Sequence, residues 1–231
     1  MGAPRHAVLF DVDGTLVDST YWHTVSWWQA LRQHGHTVQM SRIHRAIGMG
    51  GDKLVSHVVG ENVDADQEQA LKDAHAAIFS THWPQLTRFD GVKELLRACH
   101  GAGAAVVLAS SAQGPQLEVL RRTIDADDFL TAATSSSDAS ASKPEPDIVE
   151  AALESAGVAA EQAIFIGDAV WDVHACAKLG LPVIGLACGG TSAAELREAG
   201  ALEVHEQAAD LLAHLQVSAL GRLLDAARDG S

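Results

Sequence analysis

An α/β fold, a doubly wound parallel sheet carrying an all-helical insertion, is predicted from three observations on the sequence. From Asp90 onward, short apolar runs that read as buried strands alternate with segments of helical spacing. Between Asp18 and Asp90 the apolar spacing is helical and no convincing strand interrupts it. Several strand runs end in polar residues, which is where open α/β sheets present ligand sites. With 231 residues the chain is long enough for a full core bearing an insertion, or for two modest domains. The expected division gives 1–16 and 90–231 to the α/β core and 17–89 to the helical part.

The first strand is expected from His6 to Phe10, and it stops at Asp11 and Asp13. Side chains at i and i+2 share a face while the strand lasts, so these carboxylates leave it side by side and repel unless a cation or a shared proton intervenes. Gly14 then permits a tight turn. Taken alone, Asp-Val-Asp-Gly also reads as an acidic turn after a strand. Helices are expected around Tyr21–His34, Ser41–Ile47, Asp52–Val59 and Asp64–Trp83, separated by Gly35, Gly48–Gly51 and Gly60. Trp22, Trp27 and Trp28 sit at helical spacing with Val25 and Leu31 and read as packing the insertion's own core.

In the second part, a helix over Val92–His100 ends at Gly101 and Gly103, and the strand Ala104–Ala109 delivers Ser110 and Ser111 at its end. A helix through Gln116–Thr123 and a weak strand near Thr131–Thr134 follow, the latter running into a Ser- and Ala-rich surface loop up to Ser142. A helix over Asp147–Ala156 leads to the strong strand Ala163–Ile166, then Gly167 and Asp168, then a helix over Trp171–Lys178. Pro182–Leu186 and Leu202–His205 read as further strands, followed by amphipathic helical sequence.

Three predicted strands thus end in Asp11/Asp13, Ser110/Ser111 and Asp168 with Asp172, and the loop Lys143-Pro144-Glu145-Pro146 adds a cation. Carboxylates from separate strands, without a matching Cys or His cluster, favour a hard cation, and magnesium is the metal expected. A carboxylate can attack phosphorus to give an aspartyl phosphate, with metal, ammonium and N–H donors meeting the phosphoryl charge. Lys143 can act there as a point charge, and the Ser110 hydroxyl with the amides after it as a small anion nest. Glu145, between two prolines, reads as part of a rigid loop.

Composition excludes other classes. Sixteen Lys and Arg against 30 Asp and Glu give a net charge of -14, the wrong sign for a nucleic-acid surface. A small phosphorylated metabolite is the expected partner, with no nucleic acid and no membrane, and with a monomer and a homodimer equally open. Cys99, Cys176 and Cys188 form no CxxC pair and no disulfide framework, and Cys176 and Cys188 read as packing near the last strands. The N-terminus lacks a basic leader, and Met1-Gly2 is without the Ser or Thr that marks myristoylation; a cytoplasmic location is the default expectation. No apolar run approaches membrane-spanning length, and the histidines show no HExxH spacing.

The sequence resembles the haloacid dehalogenase superfamily of phosphatases and phosphomutases. DVDGTLVDS is similar to its first motif, VVLASS to the second at Ser110, SKPEPD to the third at Lys143, and IFIGDAVWD to the fourth at Asp168 and Asp172. The resemblance implies a Rossmann-like core with a mobile helical cap inserted after the first motif, hinged at Thr15–Val17 and Thr87–Asp90. It implies that Asp11 attacks, that Asp13 protonates the leaving oxygen and later activates water, and that Asp168 binds Mg²⁺ with Asp11 and the Asp13 carbonyl while Asp172 supports the metal shell. The acid at Asp13 sets the chain apart from the dehalogenases, which lack one there. In the beta-phosphoglucomutase branch, the cap loop similar to Ile47-Gly48-Met49-Gly50-Gly51-Asp52 carries an arginine for a second phosphate, where this chain has Gly51. His23 and Trp27 match cap residues of that branch and are candidate substrate contacts; the alternatives are a solvated helix histidine and a packing tryptophan. Lys53 and Lys72 are candidates to replace the missing charge, or else a solvated helix face. The expectation is a Mg²⁺-dependent phosphatase acting on a sugar phosphate, phosphoglycolate or similar ester. A phosphomutase and a catalytically silent metabolite-binding protein are the alternatives.

Overall fold

Ala7–Phe10 is apolar throughout and wholly buried, which suits a strand covered on both faces, and it forms the inner strand β1 of a parallel sheet. The structure is a computed structural model that describes residues 6–60, 63–112, 114–135 and 141–229. Met1-Gly2 and positions 136–140 of the expected Ser- and Ala-rich loop lie outside these residues.

After β1 come α1 (Thr20–Gln33), α2 (Met40–His44), α3 (Gly51–Val59) and α4 (Ala65–Ser80). The chain continues through α5 (Val92–Gly101), β2 (Ala105–Ala109), α6 (Gly114–Ile124), β3 (Ala132–Thr134) and α7 (Asp147–Ala156). It ends with β4 (Ala163–Gly167), α8 (Val170–Ala177), β5 (Val183–Leu186), α9 (Ala193–Ala199), β6 (Glu203–His205), α10 (Ala208–Ala213) and α11 (Ala219–Asp229). The sheet order is β3-β2-β1-β4-β5-β6, every pair parallel, with Phe10 beside both Leu108 and Ile166.

Alternate side chains along each strand face opposite layers. Val8, Phe10, Val106, Leu108, Ile164 and Ile166 pack with Leu95 and Leu96 of α5 and Leu211 and Leu224 of α10 and α11. Ala7, Leu9, Val107 and Phe165 pack with Ile148 and Leu153 of α7, Val173 of α8 and Leu196 of α9. Phe165 is fully buried between β1 and β5, and Phe165→Ala there would cost about 3–5 kcal/mol. Because β2 and β4 flank β1, the strand order reverses at the carboxyl end of β1, and a crevice opens there.

The helices α1 to α4 bury a cluster of their own, with Trp27, Leu31, Ile43, Leu54, Val58 and Leu71 at its centre. Asp64 caps α4, its carboxylate accepting from Gln67 N–H at 2.8 Å. Trp22 departs from expectation: it packs against the sheet's own core and stacks on His82, so only Trp27 and Trp28 of the three serve the helical cluster. The two segments joining these helices to the sheet lie side by side. Val17 and Arg88 form an antiparallel bridge, Asp18 N–H donates to Thr87 C=O at 2.8 Å, and Phe89 N–H donates to Leu16 C=O at 3.0 Å.

The helix α9 between β5 and β6 was not among the expected elements. Ser192 caps it and Glu195 reaches back to the Ser192 N–H, while Gly200 ends it in a left-handed conformation. Among the described residues, no helix is long and apolar enough to cross a membrane.

Candidate active site

The buried strand β1 carries Asp11 to its carboxyl end, with 7% of the residue exposed. The loop before α7 brings Lys143, 1% exposed, so that its ammonium donates to Asp11 Oδ1 at 2.6 Å and meets Asp172 Oδ1 at 2.7 Å. Asp172, in the first turn of α8, takes the Ala169 N–H on its other oxygen at 3.1 Å. Asp168, at the end of β4, accepts from the Thr15 hydroxyl at 2.8 Å, and the same hydroxyl lies 3.3 Å from Asp11 Oδ2. Asp13 points the other way, accepting from Ser19 Oγ at 2.6 Å and lying 3.1 Å from His23 Nε2 through Oδ1.

Three carboxylates, Asp11, Asp168 and Asp172, thus offer ligand atoms within 4.8 Å of one another, all buried, with one ammonium among them. Burial raises Asp11, Lys143 draws it back, and Asp172 raises it again, leaving it near 7. Burial pushes Asp168 well above the carboxylate range, and Asp11 and Asp172 push it further. Burial works against the charge on Lys143, but Asp11 and Asp172 outweigh it and hold the ammonium more firmly protonated than usual. Burial also raises Asp13, but attraction to His23 and the hydrogen bonds of His23 and Ser19 bring it below its ordinary value. Excess negative charge in a dry oxygen-lined site is the environment a hard divalent cation neutralises. The backbone closes tightly on this spot. A Cβ at Gly14 or Gly189 would collide with the Asp168 carboxylate, and Gly14 holds φ +87°. Thr20 Oγ1, buried without a hydrogen-bond partner, also faces the Gly14 position. The donor set fits magnesium.

Above the carboxylates lies a cavity of about 630 Å³, lined on the sheet side by Asp11, Asp13, Ser111 and Ala112 and on the helical side by Trp27, Met49, Leu54, Lys72 and His75. Ser110 is buried, and its Oγ accepts the Ala112 N–H at 3.1 Å, so that amide closes the turn rather than standing open in a nest. His23 is 7% exposed and bonded to Asp13, which rules out the solvated-helix alternative. Trp27 both packs, at 4% exposed, and lines the cavity. Lys72 lines the cavity with its stem against Gly51 and its ammonium 2.9 Å from Glu68, whereas Lys53 is half-buried on α3. Glu145 pairs with Lys178 at 2.7 Å on the surface. The cysteines are free; burial pushes Cys99 up to about 12 and raises Cys176 and Cys188 as well, so none is an activated thiol.

The sequence reading passed over His75, which lies 3.1 Å from His23 Nδ1, and Asp52, which accepts from Ser142 Oγ at 2.5 Å across the cavity. Helical contacts reach the sheet domain at two more places. Trp171 Nε1–H donates to Arg45 C=O at 2.9 Å, and His44 Nε2 lies 3.3 Å from the Gly189 carbonyl.

The fold and its acid-rich crevice at the strand order reversal define an α/β enzyme that works with carboxylates. The profile of the haloacid dehalogenase-like hydrolases matches residues 8–186, and the chain belongs to that family. It is similar to a phosphoglycolate phosphatase of Colwellia psychrerythraea, 23% identical over 204 residues, covering 85% of this chain and 90% of that one. It is also similar to an N-acetylmuramic acid 6-phosphate phosphatase of Pseudomonas aeruginosa, 26% identical over 171 residues, covering 73% and 75%. A crystal structure of a hydrolase from Pseudomonas syringae superposes with a TM-score of 0.87 at 31% identity, covering 92% of this chain and 99% of that one.

Proposed function

We propose that the chain hydrolyses a small phosphomonoester in two steps through a phosphoaspartyl intermediate on Asp11. The enzyme is a phosphoric monoester hydrolase of its family. The observation that carries the mechanism is the pairing of two differently placed carboxylates at one strand end: Asp11 against Lys143 at 2.6 Å, and Asp13 turned to Ser19 and His23. Environments that push two carboxyl groups apart divide them into nucleophile and acid/base.

In the first step an Asp11 oxygen bonds to phosphorus, the bond from phosphorus to the ester oxygen breaks, and Asp13 gives its proton to that oxygen. In the second, Asp13 takes a proton from a water whose oxygen bonds to phosphorus, and the bond from phosphorus to Asp11 breaks. Inorganic phosphate leaves and both carboxyl groups return to their starting state. Lys143 meets anionic phosphoryl oxygens as a buried point charge, and Ser110 holds the turn that presents Ser111 to the cavity. Asp11, Asp168 and the Asp13 carbonyl would hold Mg²⁺, with Asp172 steadying Lys143; bound there, the ion supplies charge neutralisation for the phosphoryl group. Residues 17–89 act as a cap whose closure excludes water, pivoting at the paired linkers around Val17 and Arg88.

The cavity suits a metabolite of sugar-phosphate or phosphoglycolate type, in keeping with what the two named relatives act on. Gly51, at the place of the phosphomutase arginine, favours hydrolysis over transfer between two phosphate positions. The test is phosphate release from a panel of phosphomonoesters with and without Mg²⁺, beside Asp11→Asn. Metal-dependent release that the variant loses is expected. Release by the variant at the unaltered rate refutes the nucleophile, and isomerisation primed by a sugar bisphosphate without phosphate release refutes the hydrolase.

A further inference from the structure

Both described hydrogen-bonding partners of the Asp13 carboxylate meet the same oxygen. Ser19 Oγ donates to Oδ1 at 2.6 Å and His23 Nε2 lies 3.1 Å from Oδ1. Behind His23 stands His75 of α4, 52 positions further along the chain, with its Nε2 3.1 Å from His23 Nδ1. The rings form a stack inside the helical insertion. His75 lies on Trp27 at 4.2 Å and 11°, and His23 lies on Phe79 at 3.8 Å and 17°. Such packing leaves neither imidazole free to turn.

A neutral imidazole has one N–H and one bare nitrogen, so whatever meets one nitrogen decides the other. To serve a carboxylate, His23 must present N–H at Nε2, which leaves Nδ1 bare and in need of a donor. His75 Nε2–H is that donor. Burial, and then His23 beside it, hold His75 well below the usual histidine range, so it stays neutral with a single proton to place.

We infer that His75 is a positioning residue for hydrolysis: its Nε2–H locks His23 in the Nε2–H tautomer, which fixes Asp13 Oδ1 as the anchored oxygen and leaves Oδ2 to carry the proton. This rests on the phosphomonoesterase reading above. Oδ2–H then delivers the proton to the departing ester oxygen in the first step and takes one from water in the second, while Oδ1 keeps its two donors throughout. Without the lock, His23 can turn its bare Nε2 on Asp13. The carboxyl group then spends its proton on the histidine instead of the leaving group, as wrong-tautomer histidines do in other acid/base sites.

The experiment compares kcat/KM for 4-nitrophenyl phosphate, whose phenolate departs without a proton, and benzyl phosphate, whose alkoxide needs one. His75→Phe keeps the aromatic stack and removes the donor. It should lower kcat/KM for benzyl phosphate by about tenfold or more and that for 4-nitrophenyl phosphate by less than about threefold, general acid catalysis being worth about 10²–10⁴. His75→Gln, whose amide N–H can still reach His23 Nδ1, should restore the benzyl rate. Equal losses on both esters, no loss on either, or a Gln variant as impaired as the Phe variant would overturn the inference. Imidazole ¹⁵N shifts of the wild-type protein test the lock without turnover: His23 should show a protonated Nε2 and a bare Nδ1, and any other state of that ring sinks the proposal even if a variant fails to fold. A wild type inactive on both esters with Mg²⁺ would fail the hydrolase reading, and the nitrogen shifts would still decide the tautomer.

Discussion

On the sheet side of the cavity, Asp11, Lys143, Asp168 and Asp172 come from four places in the chain, are all but sealed from solvent, and hold one another at 2.6–2.7 Å where Lys143 bridges two of them. On the helical side, Trp27, Met49, Leu54 and Lys72 present an apolar wall with a single ammonium, already paired with Glu68. The first wall gives each group a fixed electrical task, and removing one leaves the others with uncompensated buried charge. The second offers shape, and a change there alters fit more than chemistry. The two walls therefore respond differently to substitution and to pH.

The largest contrast should come from Lys143→Met, which keeps the stem's volume and deletes the charge. Loss of one partner from a buried ion pair costs about 3–5 kcal/mol. Denaturant unfolding of the variant should show that loss, and phosphate release should vanish with it. A variant with wild-type stability would mean that Asp11 and Asp172 do not depend on the ammonium.

Asp168→Asn should act in the opposite direction on the metal-free protein. Its folded-state pKa is raised from the ordinary 3.8 by burial and by Asp11 and Asp172. The folded state therefore holds a proton that the unfolded chain releases, and native stability is lost as pH climbs above 3.8. The neutral amide escapes that penalty, so the gain in Tm should be greater at pH 7 than at pH 5. Mg²⁺ should raise Tm in the wild type and not in the variant. A gain that shrinks with rising pH would contradict the sign.

The smallest effect belongs to the helical wall. Asp52→Ala removes the hydrogen bond from Ser142 that ties α3 to the loop before Lys143. One such bond, worth about 1 kcal/mol, should raise KM about fivefold and leave kcat within about twofold. A collapse of kcat would show that the helical wall takes part in the chemistry.

The same division governs how much the sequence discloses. Ala7–Phe10, Ala105–Ala109 and Ala163–Gly167 are apolar runs long enough to be read as strands, and the acids at their ends stand out because charge seldom follows such runs. Composition, periodicity and motif therefore agreed on the sheet side. The strand order depends on pairings between distant segments that no local pattern encodes. His75 escaped notice because its partner His23 lies on another helix, and on α4 alone it is one more residue on a helical face. Trp22 has the spacing of Trp27 and yet turns to the sheet core, since α1 passes from one cluster to the other along its length. The helix α9 was legible in principle: Ser192 and Glu195 are spaced as a capping box, and Gly200 closes it.

The bridge between Val17 and Arg88 has a bearing on ancestry and engineering. Entry and exit of the four helices lie on neighbouring strands, about 5 Å apart as paired strands are. A foreign segment whose ends meet at that spacing could be spliced in without moving the sheet, and selection can likewise retailor the insert while the machinery below stays untouched. The doorway is narrow, and what hangs from it is exchangeable.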